Sequence, residues 1–149
     1  MDQKQFDKVV PMLHAAQAAE GQCGNLKHRL PLAGKELKAK AEWKDVADAA
    51  AKFLKKVEPA YSEIGKLLKI GEKDIRAMSV PDYKKKAEKM LVTIKEASDA
   101  GTAYWSAYQG ARKKDVKIDG CVSANASGNY AGNLIKAATD TKIAYNSLK

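Results

Sequence analysis

Four side chains carry most of the reactive chemistry this chain owns: Cys23, Cys121, His14 and His28. A covalent c-type haem site needs C-x-x-C-H, and Cys23-Gly24-Asn25-Leu26-Lys27-His28 offers one cysteine at the wrong spacing. Non-covalent haem needs two axial donors on facing elements, whereas both histidines fall in the first segment. A di-metal carboxylate centre needs paired Glu-x-x-His motifs, and neither histidine has a Glu three residues before it. Cys23 and His28 form the one Cys–His pair that can be drawn, and a disulfide at Cys23 would abolish it. No G-x-S-x-G, P-loop or dinucleotide glycine motif occurs. The expectation is a non-enzymatic protein with no cofactor and no metal.

The elements that must position these groups read as helices. Strand-like alternation never lasts more than a few residues, while apolar residues recur at spacings of three and four. The clearest stripe is Tyr83, Ala87, Met90, Ile94, Ala97, Gly101, Tyr104, Tyr108 and Ala111, the inward face of a helix packed among others. That helix is expected from Pro81, suited to a first turn, to about Lys114. Ala39, Trp43, Val46, Ala50, Phe53, Val57, Tyr61, Ile64 and Leu68 form a second stripe. Its phase passes through Pro59 without a slip, which predicts one helix over about 35–70, kinked near Pro59 and ended by Gly71. Phe6, Val9, Leu13 and Ala16 mark a first helix bent at Pro11 and weakened by Gly21 and Gly24. A further turn or two carries Leu26 and Leu30 up to a break at Pro31-Leu32-Ala33-Gly34. Ala131, Leu134, Ala138, Thr141, Tyr145 and Leu148 mark the last helix, with Ser127 as its N-cap. The expected fold is all-α: one domain over 1–149, an antiparallel up-down-up-down four-helix bundle.

That topology predicts that the end of the first helix and the start of the last meet, bringing Cys23 and Cys121 together as a disulfide. Such a bridge points to an oxidising, extracytoplasmic compartment, periplasmic or secreted. The start Met1-Asp2-Gln3-Lys4 runs directly into an amphipathic pattern rather than an apolar leader.

Charge supplies the remaining signal. The chain of 149 residues has 27 Lys+Arg against 18 Asp+Glu, a net charge of +9, and its only arginines are Arg29, Arg76 and Arg112. Residues 26–57 and 83–117 each carry +5, while the other segments are near neutral. Sequence-reading nucleic-acid sites favour the bidentate Arg fork, so a lysine excess speaks more for an acidic protein partner. Nucleic acid or another polyanion is the weaker alternative, an anionic membrane surface a further one, and a carrier with a ligand between the helices a third. The expected binding face is Lys35, Lys38, Lys44, Trp105, Arg112, Lys113, Lys114 and Lys117. Trp105 belongs to an aromatic group with Trp43, Tyr104, Tyr108 and Tyr130. The group either fills the core where alanine-rich helices leave room or forms a partner hot spot with the lysines. The second requires Trp105 to be exposed beside Lys113. An inhibitor, an immunity-type protein or an accessory subunit would each use such a surface.

Overall fold

The computed structural model describes all 149 residues, and the molecule is entirely helical. Five helices follow one another: α1 (Gln3–Lys38), α2 (Lys44–Leu68), α3 (Glu72–Ala77), α4 (Val80–Lys114) and α5 (Val122–Ser147). Two 3₁₀ turns, Ala41–Trp43 and Val116–Gly120, link α1 to α2 and α4 to α5. Each long helix packs against two others: α1 on α2 and α5, α4 on α2 and α5. No helix is long and apolar enough to cross a membrane.

The stripe read on α4 is the stripe that is buried. Tyr83, Ala87, Met90, Ile94, Ala97, Gly101, Tyr104 and Tyr108 all face inward, and Ala111 is half-buried. The start of α4 follows local chemistry: the Ser79 hydroxyl accepts from the Asp82 N–H at 3.2 Å, and Pro81 occupies the first turn. On α2, Val46, Ala50, Phe53, Val57 and Ile64 are buried. Pro59 is exposed inside a continuous helix. The buried apolar side chains of all five helices join in one core cluster.

Three boundaries differ from the sequence expectation. First, α1 does not stop near Gly21 or break at Pro31; it runs without interruption to Lys38. Its buried residues continue as Cys23, Leu26, Leu30, Ala33 and Leu37, the same three–four rhythm as Phe6 to Ala19. Pro31 lies on the exposed face, so the carbonyl it leaves unpaired opens to water rather than into the core. Second, α2 therefore starts at Lys44 rather than near 35, after the turn that buries Trp43. Third, α5 begins at Val122, five residues before Ser127. Its cap comes from another helix, as described below, and Ser127 is buried inside α5 with its hydroxyl unpartnered. The connection expected over 72–80 also contains the short helix α3.

Candidate binding surface at one end of the helices

The ends of four helices converge where the two 3₁₀ turns lie. At the last turn of α1, Glu36 accepts from the Ser123 and Ala124 N–H groups, each at 2.9 Å. Cys121, the N-cap residue of α5, contributes no side-chain cap of its own. A carboxylate from α1 therefore satisfies the free amides and positive dipole end of α5. At the start of α2, the Trp43 indole N–H donates to Asp115 at 3.1 Å, just past the end of α4. The other Asp115 oxygen accepts from the Lys117 N–H at 3.0 Å. Arg112 pairs with Asp119 at 2.6 Å, and the buried Tyr108 hydroxyl donates to the Ile118 carbonyl at 3.3 Å. These bonds fix the turn over 115–120 against both α2 and α4.

All seven cations of the expected face belong to this end. Lys35 and Lys38 sit in the last turn of α1 and Lys44 starts α2; Arg112, Lys113 and Lys114 close α4, and Lys117 lies in the following turn. All seven are exposed. The molecule contains six ion pairs, and Arg112 is the only one of the seven engaged in any of them. Of the carboxylates here, Glu36 is committed to α5, Asp115 to Trp43 and Lys117, and Asp119 to Arg112, while Glu42 and Asp45 are exposed and outside the ion pairs. The cations closing α1 and α4 also offset the negative dipole ends of those helices. Lys40 is engaged differently, its ammonium lying 4.1 Å from the Trp43 ring centroid.

Trp105 does not belong with them. Its ring stacks on Tyr108, with centroids 5.3 Å apart and planes inclined by 10°. It also lies against Gly128 on α5, where a Cβ would lie 2.0 Å from the indole. Lys113 lies two helical turns further on, about 12 Å along the axis. The half-buried indole fills the α4–α5 seam, and with Phe53, Tyr104 and Tyr108 the aromatic group belongs to the packing of the helices.

The expected disulfide is absent: Cys23 and Cys121 are both free and buried. Because α1 runs on to Lys38, Cys23 lies well inside the helix, about 20 Å short of the level at which Glu36 meets α5. Bridged cysteines have Cα atoms within about 7 Å. Burial pushes the Cys23 thiol from 9.0 up to about 12, with Glu20 adding to the effect. Burial also raises Cys121, helped by Glu36 and opposed by Lys40. Neither thiol is an activated nucleophile, and the argument for an oxidising compartment loses its basis. Both histidines are exposed on α1.

The sequence reading missed Glu36 and Asp115, which hold this end together, and Val116 and Val122, which project from it. An N-cap position without an acceptor side chain was the available signal for a cap from elsewhere. No protein-family model, curated protein or solved structure matches the chain.

Proposed function

We propose that this is a non-enzymatic binding protein whose lysine-rich end engages an acidic protein partner. In this reading the four long helices form an up-down-up-down bundle, with α2 bent near Pro59 and the end holding both 3₁₀ turns serving as the contact face. The end-to-end bonds of Glu36 with α5 and of Trp43 with Asp115 support that arrangement. The observation that carries the function is the set of six exposed lysines, Lys35, Lys38, Lys44, Lys113, Lys114 and Lys117, none with a carboxylate in ion-pair range. A patch whose free cations outnumber its free carboxylates, Glu42 and Asp45, steers and selects a partner of negative sign. An inhibitor, an immunity-type protein and an accessory subunit all work in this way.

Charge reversal tests the site against net charge alone. Lys113→Glu/Lys114→Glu/Lys117→Glu is expected to weaken binding of a polyglutamate peptide, at 0.15 M salt, by about tenfold or more. Reversing Lys85, Lys86 and Lys89 near the other end of α4 removes the same charge and is expected to cost far less. Equal losses would mean that overall charge attracts the peptide and that no site exists.

A ligand carrier is the second reading. A groove of about 600 Å³ between α4 and α5, lined by Leu91, Val92, Ile135, Ala138 and Ile143, supports it. Saturable quenching of tryptophan fluorescence by an apolar ligand, lost in Ile143→Glu, would favour it.

A further inference from the structure

Large apolar side chains are exposed at six positions, and the two most exposed are Val116 at 77% and Val122 at 69%. Both lie on the basic end described above. Val116 stands between Lys114 and Lys117 in the turn after α4, and Val122 is the first residue of α5. The turn that presents Val116 is held by Asp115 to Trp43, by Arg112 to Asp119 and by the burial of Ile118. Val122 is held by the Glu36 carboxylate on the next two amides. Both valines are thus fixed facing water, on backbone that has no freedom to bury them.

We propose that Val116 and Val122 are the apolar anchors of this surface, and that its partner is a protein segment combining carboxylates with aliphatic side chains. The inference rests on the binding reading above and specifies the chemistry of the partner. The lysines supply steering and register, and the valines supply desolvated contact. Charge complementarity fixes the sign of the partner, since six lysines here lack a counter-charge. The aromatic side chains favour a protein over an anionic bilayer. The one tryptophan at this end, Trp43, is buried, whereas membrane-surface anchors draw on exposed aromatic rings.

The experiment compares two peptides of equal length and charge, alternating Glu with Leu and Glu with Ser, titrated against the full chain at 0.15 M salt. The Glu/Leu peptide is expected to bind at least about tenfold tighter. Val116→Ser/Val122→Ser is expected to erase that preference while leaving Glu/Ser binding and the melting temperature unchanged. Val92→Ser/Ile143→Ser, which trims exposed aliphatics on the side of α4 and α5, is expected to keep it. Equal affinity for the two peptides overturns this inference but leaves the basic binding site standing. Loss of the preference in the Val92/Ile143 variant overturns it as well, by moving the apolar contact elsewhere. Binding to neither peptide overturns the binding reading itself. Valine-dependent binding to phosphatidylserine vesicles without a Glu/Leu preference overturns the choice of a protein partner.

Discussion

Gly128 and Trp105 show how one residue decides whether an aromatic is a contact for a partner or a piece of the core. The missing side chain on α5 lets the indole approach the helix closely, where any Cβ would collide with the ring. Gly128→Ala should therefore force the ring from its stack on Tyr108 and destabilise the protein by about 1–3 kcal/mol. Gly132, one turn later in the same helix, has nothing within 4 Å of an added Cβ. Gly132→Ala should stabilise by about 0.5–1 kcal/mol, because alanine loses less backbone entropy in a helix. Urea denaturation of the two variants is the measurement, and a shift of the same sign in both would contradict this account of Trp105. The sequence held half of this information. Trp105 lies one step off the inward stripe of α4, but its glycine partner lies on α5, 23 positions away, and the periodicity of one helix cannot reveal it.

At the scale of the elements, the junction of α1 and α5 depends on a carboxylate borrowed across the fold. Glu36→Ala should cost about 1–2 kcal/mol, the usual worth of a helix cap, because Cys121 offers the α5 amides no strong acceptor in exchange. Adding Cys121→Ser, which places a good N-cap at that position, should restore about 1 kcal/mol. Thermal melts of the single and double variants measure both effects. No recovery on adding the serine would mean that Glu36 acts through something other than the cap. The same junction explains which boundaries could be read. Stripes of three and four residues located α4 and the body of α2, because burial follows periodicity. The phase argument that carried a helix through Pro59 applies equally to Pro31, where Leu26, Leu30, Ala33 and Leu37 stay in step. Local breaker chemistry at Pro31 and Gly34 outweighed that rhythm in the sequence reading, whereas an exposed proline in a helix of 36 residues removes only one bond. The misplaced end of α1 then moved Cys23 by several turns, and the expected disulfide followed from that error.

Across the whole molecule, buried acids that stay neutral set the alkaline limit of stability. Burial raises Cys23 from 9.0 and Tyr83 from 10.0, each to about 12. Burial likewise raises Tyr104, which donates its hydroxyl proton to the Ala124 carbonyl. In the unfolded chain these groups lose their protons near their ordinary values, while the folded protein keeps them. Their stabilising contribution is thus complete below about pH 9 and is lost as pH rises towards 12. In 0.5 M salt, which screens the changing lysine charge, the melting temperature should hold steady from pH 7 to about 9 and then fall continuously. A flat profile to pH 11 would contradict the burial of these groups. The charge of the chain was fully legible as an amount and only partly as a surface. Seven of the eight expected binding residues meet at one end: the end of α4 was placed correctly for Arg112, Lys113, Lys114 and Lys117, whereas Lys35, Lys38 and Lys44, expected in the second helix, close α1 and open α2. Trp105 does not join them, and the valines beside the lysines carried no periodic signal. The central claim is that this end, rather than the lysines at large, meets an acidic protein. Zero-length carbodiimide coupling in an extract of the native source, followed by mapping of the linked lysines, tests it most directly. The account predicts partner carboxylates joined mainly to Lys35, Lys38, Lys44, Lys113, Lys114 and Lys117; links spread evenly over all the lysines of the chain, or centred on Lys84 to Lys89, would contradict it.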